Sequence, residues 1–242
     1  MATRTRDAAP GGGAVAPVGE EAPAARPTGG GPRRMLPIAP EGWVFILVPL
    51  ALALLVAWAG WYKVAALALL VAAFMAFFFR DPERTPPSVA GAILAPADGR
   101  VVDVREGLED PFVGPARQLS IFLSPLDVHV NRAAITGLVV AVDYRPGAFL
   151  PAYRPEASAE NERASIAIQG EAGRVVMRQI AGVLARRVVC RVRPGDKLQA
   201  GERFGLIKFG SRLDVVMPAS ARLTARVGDR VRAGESIVGV LE

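Results

Sequence analysis

The stretch PGDKLQAGE (Pro194–Glu202) returns 33 residues later as VGDRVRAGE (Val227–Glu235). Gly195, Asp196, Ala200, Gly201 and Glu202 coincide with Gly228, Asp229, Ala233, Gly234 and Glu235. Each copy reads as a Gly-Asp turn, a short strand and an Ala-Gly turn, since glycine and aspartate suit tight turns. Two such copies in one chain predict the two halves of a folded-over β sandwich.

Working outward, the sequence keeps this character. Candidate strands are Leu119–Leu123, Gly137–Tyr144, Ala164–Ile168, Val175–Ile180, Arg187–Val192, Arg203–Lys208, Leu213–Val216 and Ala221–Val227, broken by glycine and proline. No βαβ alternation appears, so the domain is read as mainly β and antiparallel. The repeat resembles the pattern of biotinyl- and lipoyl-carrier domains, which bears on architecture and not on chemistry. A carrier would place a modifiable lysine in the hairpin between the copies. LIKFGSRLDVVMP (Leu206–Pro218) has Phe209-Gly210-Ser211 there instead.

Upstream the composition changes. Residues 1–40 are rich in Pro, Gly, Ala and Arg and lack aromatics, so they read as a disordered tail and not as a signal peptide. Trp43–Tyr62 is twenty residues without a charge, and after Lys63 sixteen more run to Phe79. The first run has the length a helix needs to cross a bilayer. Segment 41–80 is therefore read as an N-terminal membrane helical hairpin, with a single span plus an interfacial partner as the other arrangement. Arg33 and Arg34 before it and Arg80 and Arg84 after it place both ends on the cytoplasmic side of the bacterial cell membrane. Residues 81–92 form a proline-punctuated linker, and 93–242 the β domain.

The net charge of +6 favours an anionic partner, and the apolar block points to lipid and not to nucleic acid. The single Cys190, among valines, reads as a small apolar residue and excludes an intrachain disulfide. One histidine and one cysteine cannot build a zinc site, so no metal is expected.

Several segments, in order, resemble phosphatidylserine decarboxylases of the short bacterial, pyruvoyl-dependent form: FFRDPER, Pro96-Ala97-Asp98-Gly99-Arg100, SPLDVHVNR (Ser124–Arg132), FLPAY with Glu160–Arg163, and Gly210-Ser211. The match covers about residues 79–242. The resemblance implies a membrane-bound zymogen that cuts itself between Gly210 and Ser211. Ser211 Oγ attacks the Gly210 carbonyl, an ester replaces the peptide bond, and elimination then hydrolysis leave a pyruvoyl group on residue 211. Glycine before the serine leaves the attack unobstructed and tolerates a strained turn. The large and small fragments would stay associated, and the sequence leaves room for a homo-oligomer. Phosphatidylserine would form a Schiff base with the pyruvoyl group and leave as phosphatidylethanolamine and CO2.

The resemblance also assigns roles. His129 is the candidate acid/base and Asp98 its partner, either orienting the imidazole or assisting self-cleavage. Other family members carry a second histidine three residues on, where this chain has Arg132. Arg132, Arg163 and Arg212 are candidate ligands for the head group, because guanidinium pairs well with phosphate and carboxylate. The competing reading is a membrane-tethered, carrier-like or adaptor β domain without catalysis. Gly210-Ser211 and the histidine motif argue against it.

Overall fold

A computed structural model describes residues 37–152, 156–183, 188–208 and 210–242. The tail read over 1–40 lies outside these residues up to position 36, as do Arg33, Arg34, Tyr153, Arg187 and Phe209.

A 3-10 turn (Pro40–Gly42) leads into α1 (Trp43–Trp58), and a short turn leads to α2 (Tyr62–Phe78). The β domain follows as β1 (Ala92–Leu94), β2 (Gly99–Asp110), β3 (Gly114–Leu123), β4 (Val130–Arg132) and β5 (Gly137–Arg145). A one-turn helix, α3 (Ala157–Glu160), precedes β6 (Arg163–Gln169), β7 (Arg174–Ile180), β8 (Val188–Cys190), β9 (Lys197–Leu198) and β10 (Arg203–Ile207). Last come β11 (Ser211–Pro218), β12 (Arg222–Leu223), β13 (Arg230–Val231) and β14 (Ile237–Val240).

The architecture is mainly β, built on an eight-stranded sheet of order β13-β2-β3-β11-β7-β6-β5-β9, antiparallel at every pairing. Its two edge strands are the two copies of the repeat. They meet because the sheet curls: a Cβ on Gly234 would stand 3.3 Å from Gly201 Cα and 3.0 Å from Arg132 Cδ. Both glycines have positive φ, +80° and +73°, so the contact needs residues without a side chain. Each copy docks in the same way. Asp196 O accepts from Val139 N at 2.8 Å, and Asp229 O from Val101 N at 2.9 Å. Ala200 N donates to Thr136 Oγ1 at 2.9 Å, and Ala233 N to Asp98 Oδ1 at 2.8 Å. Asp98 and Thr136 thus hold equivalent places in the two halves.

Inside the curl, alternate residues of β11 (Leu213, Val215, Met217) pack with Leu119, Ile121, Ile166, Ile168 and Met177. The opposite face carries Val216 with Ala116, Ala167 and Val176. Ser211 shares the inner face with Leu213, and Arg212 points the other way.

Two features differ from the sequence reading. The segment Leu206–Pro218 is not a hairpin: β10 pairs with β4 and β8, whereas β11 pairs with β3 and β7, so the link before Ser211 passes between sheets. The linker is also tied down. Asp81, 2% exposed, bonds Arg132 and Arg203, and Arg84 bonds Asp98 and Glu235. A bridge between Ile38 and Arg80 joins the two ends of the helical segment.

Candidate active site

Ser211 is the first residue of β11, fully buried, and its Oγ has no partner among the described residues. Gly210 before it holds φ +58°, a conformation that favours glycine. A Cβ on Gly182 would overlap the Gly210 carbonyl oxygen, so that carbonyl occupies space that exists because residue 182 has no side chain. An isolated buried hydroxyl beside a carbonyl on a left-handed glycine fits conversion of this serine to a pyruvoyl group.

His129 is fully buried just before β4. The Ser124–Asp127 turn, closed by Asp127 N to Ser124 O at 2.9 Å and Ser124 N to Asp127 Oδ2 at 2.8 Å, presents the Asp127 carbonyl to the imidazole. Nδ1 lies 2.9 Å from that oxygen. A carbonyl only accepts, so Nδ1 carries the hydrogen and Nε2, buried and without a partner among the described residues, is the basic nitrogen. Burial pushes the imidazole down to about 4, against the opposing pull of the Asp127 carbonyl and carboxylate. The ring also stacks on Phe78, centroids 4.1 Å apart, which brings the end of α2 into the site. Phe78 and Phe79 pack with Val128, Val130 and Leu206.

Asp98 does not contact His129. Its Oδ2 pairs with Arg84 at 2.8 Å and its Oδ1 accepts from Ala233 N. Burial raises its carboxyl, offset in part by that amide and by Arg84. The arginines are turned elsewhere. Arg132 is buried and bonds Asp81, Pro82 O and Gly201 O. Arg212, 1% exposed, reaches Asp214 and Ser120 on the outer face of the sheet at 2.6 Å each. Arg163, on that same face, donates to Ser158 O at 2.7 Å.

Sequence reasoning passed over two groups on the inner face. Gln179 Nε2 donates to Asn131 Oδ1 at 2.8 Å, both side chains being fully buried. Asn131 lies two residues after His129. Gln179 pairs with Leu213 and is therefore the diagonal neighbour of residue 211. A cavity of about 930 Å³ lies apart from all these residues, lined in part by Val89, Leu138, Lys197 and Leu241.

The phosphatidylserine decarboxylase family profile matches residues 71–239. The chain belongs to the phosphatidylserine decarboxylase family. Three relatives, each named a phosphatidylserine decarboxylase proenzyme, show how far the likeness runs. The protein of Salinibacter ruber is 50% identical over 172 residues, 69% of this chain and 75% of that one. That of Symbiobacterium thermophilum is 47% identical over 206 residues, 84% of this chain and 95% of the relative. That of Beijerinckia indica is 44% identical over 210 residues, 85% and 90% of the two chains. The matched region takes in the end of α2 together with the β domain, as expected if Phe78 and Phe79 are part of the decarboxylase core.

Proposed function

We propose that this chain is a phosphatidylserine decarboxylase made as a proenzyme, which removes CO2 from phosphatidylserine to give phosphatidylethanolamine. Membership of the family carries the activity. Ser211, buried after a left-handed glycine and without a partner among the described residues, is the observation that supports the site.

In the precursor, His129 Nε2 takes the proton of Ser211 Oγ as the oxygen attacks the Gly210 carbonyl. The same proton passes to the nitrogen of residue 211 as the carbon–nitrogen bond breaks, leaving an ester. An imidazole held near 4 is neutral at physiological pH, so it is ready as a base without first losing a proton. It acts as an acid only with a proton it has just taken up. Asp98 serves this site indirectly: it joins the Arg84 segment to the Ala233 turn and fixes the loop that precedes β2.

Cleavage leaves residues 211–242 as a separate fragment. Its first strand, β11, lies in the middle of the eight-stranded sheet between β3 and β7, so the fragments stay associated. The pyruvoyl group on residue 211 supplies an electrophilic carbonyl that draws electrons from the carbon losing CO2. The chain's own part is to keep that position fully buried, opposite Leu123 of β3, excluding water.

The helix Pro40–Trp58 is long and apolar enough to cross a membrane, while α2 is shorter. Its exposed Val44, Leu54 and Trp58, with Leu67 and Leu70 of α2, suit a lipid surface. We place α1 and α2 in the bacterial cell membrane as a hairpin, with the β domain on the cytoplasmic face, where a lipid head group is within reach. Purified protein supplied with phosphatidylserine in detergent should release CO2 and phosphatidylethanolamine. Absence of both products from a correctly cleaved preparation would overturn the reading.

A further inference from the structure

The inner face beside residue 211 holds more unsatisfied polar chemistry than the reaction steps above use. Gln179 Oε1 and Asn131 Nδ2 are buried and have no partner among the described residues, like Ser211 Oγ and His129 Nε2. A buried polar atom without a partner is costly, so two on one amide pair call for a ligand. Their chemistry is complementary: one acceptor and one donor. Reversing both amides would keep one of each. The orientation described also lets Gln179 Nε2 face Val189 O at 3.4 Å, where a reversed amide would set two oxygens against each other.

We propose that Asn131 and Gln179 form the subsite for the amino-acid end of the substrate, Asn131 donating to its carboxylate and Gln179 accepting from its amine. This deepens the decarboxylase reading and rests on it. The placement suits the chemistry, because Gln179 is the diagonal neighbour of the residue that must meet the amine. The choice of a neutral donor for the carboxylate also has a reason. An arginine would bind the carboxylate most strongly in the ground state, where its charge is concentrated, and raise the barrier to losing CO2. Arg132, Arg163 and Arg212 are all held elsewhere by the contacts described above. A single amide fixes orientation and loses its partner once CO2 has left, which favours release of the product.

The test compares substrate with product. Phosphatidylethanolamine keeps the amine and lacks the carboxylate. Wild type, Asn131→Asp and Gln179→Glu are purified, the pyruvoyl fragment is counted by mass, and each is assayed per cleaved chain on short-chain phosphatidylserine. For Asn131→Asp, KM should rise roughly 10–100-fold, the usual range for a lost hydrogen bond to a charged group, with inhibition by short-chain phosphatidylethanolamine unchanged. For Gln179→Glu, both should change together. An unchanged KM in Asn131→Asp, or equal effects on substrate and product, would overturn the proposal. Should Asn131→Asp remain uncut, Asn131→Ser takes its place. Failure of both to mature would assign Asn131 to folding or cleavage and also overturn it. A wild type that cleaves but does not decarboxylate would instead defeat the functional reading itself.

Discussion

The ring of Phe78 lies against the imidazole of His129, 4.1 Å between centroids and tilted by 35°. Phe78 closes α2, so an apolar helix outside the β sheet covers one face of the candidate base. Both residues are fully buried, and this burial holds the imidazole down. His129 is the only histidine in the chain, so its ring resonances are unambiguous. A magnetic-resonance titration of the Ser211→Ala precursor should find it near 4. In the same background Phe78→Ala should move it upward, toward the ordinary value of about 6.5. A wild-type ring titrating at the ordinary value would show that the helix does not cover it.

The same shift makes stability depend on pH. Unfolded, the imidazole binds its proton at the ordinary value; folded, it does so near 4. Between those values the unfolded chain holds more protons, so stability falls as the solution is acidified through the window. The loss should total about 3 kcal/mol for this one group. Asp98, whose carboxyl is raised by burial, acts in the opposite sense. Denaturant unfolding of the uncut precursor with and without His129→Gln isolates the histidine. An unchanged difference between the two proteins from neutral pH to acid would contradict the buried, neutral ring.

Much of this could be read from the sequence, for identifiable reasons. The edge strands β9 and β13 were legible because both copies of the repeat need the same Gly-Asp and Ala-Gly turns. Their docking partners were not: the half around Asp98 and the half around Thr136 fill one structural role with a carboxylate and a hydroxyl, leaving little shared sequence. Strand β2 was missed because Asp103, Arg105, Glu106 and Glu109 mask its alternation. Gly210 and Ser211 stood out as adjacent residues in a motif. Phe78 and Asn131 lie in such motifs but gained no role from them, and Gln179 and Gly182 lie in none, since separate elements bring these residues together and only the fold does so. Arg132 fits the head group in its chemistry, yet it is taken up by Asp81, a pairing across 51 positions that no local pattern displays.

Gly182→Ala tests the space kept for the scissile carbonyl. The new methyl group would overlap the Gly210 oxygen, so the peptide must shift away from Ser211. Self-cleavage should slow by roughly 10²-fold, the scale of a small misplacement of reacting groups. Any chain that does mature should turn over normally per pyruvoyl group, because the Gly210 carbonyl then belongs to a free chain end. Cleavage at the wild-type rate would remove Gly182 from the account.

Asp81 tests the clamp between the helical segment and the sheet. Asp81→Asn leaves the buried Arg132 guanidinium without its carboxylate and should cost roughly 3–5 kcal/mol. The melting temperature of the Ser211→Ala precursor reads this directly. A shortened chain beginning at Arg80 should be destabilised as well, since it lacks Phe78 and Phe79. Wild-type stability in both would mean that the β domain does not depend on its helices.

The central claim is that Ser211 is both the point of cleavage and the source of the reactive carbonyl, and the intact mass of the purified protein tests it most directly. The 25.5 kDa chain should appear as two fragments divided between Gly210 and Ser211. The 211–242 fragment should be lighter by one ammonia than the same fragment beginning with serine, and Ser211→Ala should remain whole and inactive. A single uncut chain that decarboxylates phosphatidylserine, or a Ser211→Ala chain that still divides at this bond, would contradict it.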